Sequence, residues 1–260
     1  MNRAPLMAVL VAATGAFAQD TPSPFSVSNV EVHAGAQHVT GNLGEWRELG
    51  ITAIAEGQGH VVRGEVAAMR RFNADGGWAG VLDTYTLNPD WYLVSGAGVG
   101  SGAFFLPRYR VDALLHRKLL SGRPLVIFAG PGYLRSPDGH RERNWTTGLI
   151  YYFSTPWVLQ AAVRFTESDP GSVRTRQYFG AATYGRDGSD VVTLRLGGGR
   201  EGYSVIGPRT VLVDFASREG SLQWRHWLDP RSGVALSFEH YHNPTYERNG
   251  VSIGWFSKWR

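Results

Sequence analysis

The sequence contains no cysteine, three methionines and, among 26 basic residues, only two lysines, Lys118 and Lys258. Without cysteine there is no disulfide scaffold, no thiolate-ligated zinc, no thioether-linked haem and no thiol nucleophile. Charged residues are few, at 18%, against 43% hydrophobic residues, a balance that excludes a disordered chain. Beyond the first 20 residues no run of roughly 18 apolar residues occurs, so nothing there reads as a membrane-spanning helix. The formal charge of +4 is spread along the chain, and the basic patch of a nucleic-acid-binding protein is missing. Arginine in place of lysine suits a polar interior held by planar, multi-donor side chains.

What the chain does have is 33 Gly, 9 Trp, 11 Tyr and 12 Phe, a composition suited to many strands. Residues 1–18 read as a secretory signal. Arg3 supplies the positive start, Leu6 to Phe17 the apolar stretch, and Ala16-Phe17-Ala18 the small residues before cleavage at Gln19. Residues 19–26 are then a short lead, and 27–260 a single exported domain. No cysteine follows the cleavage site to carry a lipid anchor.

From about Ser26 onward, short segments alternate apolar and polar residues, which places successive side chains on opposite faces of a strand. In Trp157 to Glu167 one face carries Trp157, Leu159, Ala161, Val163 and Phe165, while Gln160, Arg164 and Thr166 lie on the other. Val192, Leu194 and Leu196 oppose Thr193 and Arg195; Val251, Ile253, Trp255 and Trp259 oppose Ser252, Gly254 and Lys258. Phe179 falls on the wrong face of its segment. Turn residues such as Asn73-Ala74-Asp75-Gly76, Ser136-Pro137-Asp138-Gly139 and Asp229-Pro230-Arg231-Ser232-Gly233 punctuate the series. The runs between them predict about 14 strands, or 12 if weak N-terminal ones merge.

An antiparallel series of this kind is either a soluble β-protein with a dry centre or an outer-membrane barrel with its faces inverted. The export signal, segments long enough to span a bilayer when tilted, and aromatic residues at strand ends favour the barrel. Trp145, Trp157, Phe165, Trp224, Trp255 and Trp259 are the expected aromatic girdle. Joints at 121–124, 154–156, 186–189 and 229–233 are short, as periplasmic turns are. Longer outer loops are expected at 101–107, 136–142, 168–173, 200–211 and 242–248. The predicted fold is therefore all-β: a single closed antiparallel transmembrane β-barrel in the cell outer membrane. Its expected partners are outer-membrane lipid and lipopolysaccharide, the barrel-assembly machinery, and a polysaccharide or small anionic solute, with no cofactor, metal or nucleic acid.

The chain resembles the YaiO-type outer-membrane β-barrel proteins of Gram-negative bacteria. The resemblance lies in a strand ending in basic residues (Val61 to Arg71), an Asp90-Trp91-Tyr92 strand start and a Pro107 to Arg110 strand opening. It continues through the Thr155-Pro156-Trp157 turn, the run Leu194 to Gly199 and a closing Gly250 to Gly254 strand. It implies an outer-membrane location and supplies no catalytic residue.

On this fold the polar faces line the lumen. They carry Glu31, His33, Glu48, Arg63, Glu65, Arg108, Arg110, Asp112, His116, Arg164, Arg195, Arg225, Glu239 and Lys258. Charges of both signs in an interior need partners, so one role is a network that fills and stiffens it. The other is a water-filled path whose positive excess favours anions or acidic sugars. His240 and His242 share a face and are spaced for a metal or a general base, but they continue the lipid-side face toward the rim, and Ser237 lies on the opposite face. Gly197-Gly198-Gly199 lacks the Gly-Lys-Ser/Thr ending of a phosphate loop and reads as a bend. A non-enzymatic pore or surface or export component is expected first. A lipid-modifying barrel enzyme and a soluble exported β-protein that binds a ligand are the alternatives.

Overall fold

The computed structural model describes residues 25–259. The expected signal segment, most of the lead and Arg260 lie outside those residues. Fourteen strands follow one another: β1 (Ser26–Val39), β2 (Trp46–Gly57), β3 (His60–Arg71), β4 (Ala74–Thr86), β5 (Trp91–Gly100), β6 (Tyr109–Leu119) and β7 (Leu125–Arg135). The series continues with β8 (Arg141–Tyr152), β9 (Trp157–Asp169), β10 (Val173–Gly185), β11 (Val191–Gly207), β12 (Thr210–Trp227), β13 (Ser232–His242) and β14 (Glu247–Lys258). Each strand pairs antiparallel with its chain neighbours, and β1 pairs with β14 in a register that sets Val32 opposite Trp255. The sheet closes on itself, which removes the unpaired edges a bilayer cannot solvate.

The two faces are inverted relative to a soluble protein. On β11, Leu194 is 44% exposed and its neighbour Thr193 only 6%. Leu159, Ile253, Val251, Val66 and Leu49 are likewise exposed on the outer wall. This apolar band, useless in water, is the surface that lipid covers. All six girdle residues lie on the outer face: Trp145 and Phe165 are cross-strand partners in one half, with Tyr178 nearby, while Trp157, Trp224, Trp255 and Trp259 lie toward the end that carries the start of β1 and the end of β14.

The expected contrast in loop length is replaced by something else. Connections at the terminal end are short, and at the far end 170–172 and 208–209 are short as well. Of the sequences expected as loops, half of 168–173 and most of 200–211 are strand, because period-two pairing continues past the wall: Arg200 faces Ala216, Tyr203 faces Val213 and Val205 faces Val211. Among the described residues the longest far-end connections are 101–108 and 40–45. The β3–β4 connection is a two-residue turn in which Phe72 and Asn73 both adopt positive φ, 52° and 60°. Such a turn matches strand twist but strains an aromatic residue. Packing holds it there, with the Phe72 ring 4.7 Å from that of Trp46.

The interior is not uniformly polar. Leu114, Val126, Phe128, Ile150 and Ala162 form a buried cluster, joined by Tyr92, Val94, Tyr152, Val158 and Phe179. Phe179, out of step with the outer face, belongs to this inner packing. A second interior contact sets Phe256, fully buried, edge-on to Trp227 with ring centroids 4.9 Å apart.

Candidate functional site

Between these apolar clusters and the far mouth lies a cavity of about 320 Å³, lined by side chains from β1–β4, β6–β9 and β11–β14. Alternation puts polar members of those strands there, and their charges pair mostly within a strand or between neighbouring strands. Arg225 bonds Glu31 at 2.5 Å. Arg71 bonds Glu48 at 2.7 Å, and His33 approaches the same carboxylate at 3.5 Å. Glu65 lies 3.8 Å from Arg63 and accepts a hydrogen bond from the Trp78 indole at 2.8 Å. Arg110 bonds Asp112 at 2.7 Å, and Arg164 donates to Thr146 at 3.2 Å. Glu239 accepts from Gln37 at 3.3 Å and lies 4.0 Å from Arg248. Charges removed from water require such partners, so the network stiffens the wall as it lines the space. Arg195 differs: it faces the cavity and has no hydrogen bond or ion pair among the described residues.

Glu31, His33, Glu48, Arg63, Glu65, Arg110, Arg164, Arg195 and Glu239 thus line one space, with Asp112 and Arg225 paired to its edge. Three residues lie elsewhere. Arg108 is exposed just before β6, because the loop ahead of it folds inward on Phe105 and Leu106 and leaves the arginine in water. His116 points inward but sits in the apolar cluster, stacked on Tyr92 at 4.4 Å and Phe128 at 4.9 Å, with its Nδ1 3.1 Å from the Leu114 carbonyl. Inward is not the same as wet. Lys258 lies near the terminal end, paired with Asp187 and 5.5 Å from the Trp227 ring centre. Sequence reasoning missed Arg71, Glu142 and Arg248 in the lining; the same period-two count that selected Glu65 places Arg71 on its face.

The far mouth is covered from two sides. Phe105 and Leu106 of the 101–108 loop are buried against Met69 and Trp78. From the opposite side the β11–β12 hairpin crosses the opening, and residues 201–206 are buried on both faces. Tyr203 stacks on His140 and donates its hydroxyl hydrogen bond to Asp138. Ile206 reaches Val39, Trp46, Tyr241 and Tyr246 across the mouth. Arg71 and Arg248 lie under Trp46, 5.3 and 5.2 Å from its ring, and so join the lid to the ion-pair network. Where the hairpin leaves the wall stands Gly199 at φ +142°, and a Cβ there would lie 2.3 Å from the Arg176 carbonyl oxygen. The glycine run is a bend within a strand.

His240 and His242 are on the outer rim, hydrogen-bonded to Asn249 at 2.8 Å and Glu247 at 3.0 Å. Ser237 faces inward and bonds Ser252 at 2.7 Å. No serine–histidine couple arises from this segment.

With this geometry established, comparison adds three findings. The YaiO membrane beta barrel domain matches residues 27–204. Solved structures of the same shape include a bacterial polysaccharide outer membrane secretin (TM-score 0.54, 9% identity, covering 90% of this chain and 99% of the other). They also include a loop-deletion mutant of OmpT from Vibrio cholerae (TM-score 0.52, 11% identity, 90% and 99%) and Omp33 from Acinetobacter baumannii (TM-score 0.52, 11% identity, 90% and 99%). These likenesses concern the fold. Among curated proteins none matches by sequence.

Proposed function

Because the chain belongs to the YaiO family of membrane β-barrels, an outer-membrane setting is its premise, and from it we propose a non-enzymatic, gated passage for a polar, sugar-like solute. The observation that carries this is the cavity itself: about 320 Å³, enclosed by the wall and roofed by the β11–β12 hairpin. That volume is within the range of small-molecule sites. Its lining alternates guanidinium and carboxylate groups, with Trp78 at one side. Planar donors and acceptors of both signs suit hydroxyl-rich molecules, and the partly buried Trp78 indole that lines the cavity adds an apolar surface for a sugar ring. The charges nearly balance, which favours neutral or weakly acidic sugars over strongly anionic solutes. Unpaired Arg195 is the group expected to bond the solute.

The test replaces residues 201–215 with an Asn-Gly turn, so that Arg200 and Ala216 keep their pairing. In planar bilayers the intact protein should conduct weakly, and the shortened one by at least tenfold more, with the current reduced by added oligosaccharide. A shortened protein that folds but conducts no better than the intact one refutes the passage.

A further inference from the structure

The outer wall carries a second polar feature that the lumen does not explain. Near the far rim, on β8–β11, a groove is lined by Arg143, Arg174, Arg176 and Arg200. Its apolar side is Trp145, Phe165 and Tyr178, all exposed on the lipid-facing wall. Alternation builds it: Arg143 and Trp145 are successive outward positions of β8, and Arg174, Arg176 and Tyr178 successive outward positions of β10. Gly198, outward on β11 opposite Tyr178, leaves the groove open on that side.

The arginines exceed the local carboxylates. Arg174 bonds Glu167 at 2.9 Å, Arg200 bonds Asp214 at 2.7 Å and Arg143 lies 3.5 Å from Asp169. Arg176 has no carboxylate; it lies over the Phe165 ring at 5.0 Å and donates to the Tyr178 hydroxyl at 3.3 Å. Around the same rim, Arg135 and Arg141 stand directly opposite each other across β7 and β8. Neither they nor Arg218 has an ion pair among the described residues. Like charges directly opposite repel, a cost that an external anion would relieve.

Position decides which anion. The groove straddles the boundary between the apolar band and the far rim. That is the end with the 101–108 loop and the overhanging hairpin, opposite both strand termini, the end that faces outward in barrels of this kind. The molecules at that depth are outer-leaflet lipids. Arginine forks bind phosphate bidentately, and aromatic side chains at the boundary meet sugar and the first carbons of acyl chains. We propose that this groove is a binding site for the phosphorylated sugar headgroup of an outer-leaflet glycolipid, with Arg176 and Arg200 on phosphate and Trp145 and Phe165 against the chains. The site does not depend on whether the lumen conducts.

The test uses the full chain in detergent micelles and bisphosphorylated lipid A as probe. Binding should be saturable, and Arg143→Ala/Arg176→Ala/Arg200→Ala should weaken it at least tenfold. Arg117→Ala, which removes an arginine stacked on Trp91 at the other end of the wall, should leave it unchanged. Folding of each variant is checked by its mobility shift on boiling. If the triple variant fails that check, Arg176→Gln takes its place, with at least a threefold loss expected. Equal binding by a folded variant overturns the site. So does competition by phosphatidylglycerol at equal concentration, which would mean a general anionic annulus. Competition by millimolar inorganic phosphate overturns it too, as this would mean a free-phosphate site.

Discussion

Individual residues are chosen as much by what surrounds them as by which face they occupy. Gly98 on β5 points inward against Trp78, where a Cβ would stand 2.2 Å from the indole ring. The indole cannot retreat without losing its bond to Glu65. Gly98→Ala should therefore destabilise the barrel by about 1–3 kcal/mol, the usual cost of overpacking, in denaturant unfolding. Gly64→Ala, where a Cβ meets nothing within 4 Å, should change stability by less than about 0.5 kcal/mol. Trp46 shows the same dependence on neighbours: two guanidinium groups on one side and Phe72 on the other hold it as the keystone of the roof.

At the scale of elements, the strands were legible and their ends were not. Trp157 to Glu167 shows its faces directly, because one face is wholly apolar from Trp157 to Phe165 and the other carries Gln160, Arg164 and Thr166. The hairpin beyond Gly199 was hidden because Glu201 to Ile206 is buried on both faces and so carries no alternation. The inner apolar cluster was hidden for another reason: Phe179, Tyr152 and Val158 share parity with polar residues, and parity reports direction, not hydration. Glu31, Glu48 and Arg195 were legible as inward charges, whereas the pairing of Glu31 on β1 with Arg225 on β12 depends on closure. Turns at the terminal end carry a pH dependence. Asp229 accepts hydrogen bonds from the Ser232 hydroxyl at 2.5 Å and from the Arg231 and Ser232 amides at 2.7 and 2.8 Å. These bonds, led by the Ser232 hydroxyl, hold its carboxyl below the usual range. A depressed folded value means the contribution is complete above the unfolded value, near pH 4, and is lost as pH falls through the folded one. Amide exchange at Ser232 should be protected at pH 6 and, after correction for intrinsic rates, lose that protection below about pH 4; Asp229→Asn should show no such change.

For the whole molecule, one inversion carries everything else. The closed sheet satisfies its backbone internally, the apolar band needs lipid, and the space within can then be spent on charge and on a roof. On this account the outward aromatic residues and the arginines of the far rim are expected to meet the two boundaries of the bilayer. Because the chain has no cysteine, single cysteines can be introduced and spin-labelled one at a time without background. In reconstituted bilayers, labels at positions 159, 163, 194 and 251 should be relaxed by oxygen and shielded from a water-soluble nickel complex. Labels at 193, 195, 223 and 252 should be shielded from lipid-dissolved oxygen. If positions 159 and 194 prove inaccessible to oxygen, packed instead in a centre that neither reagent reaches, the membrane barrel is contradicted.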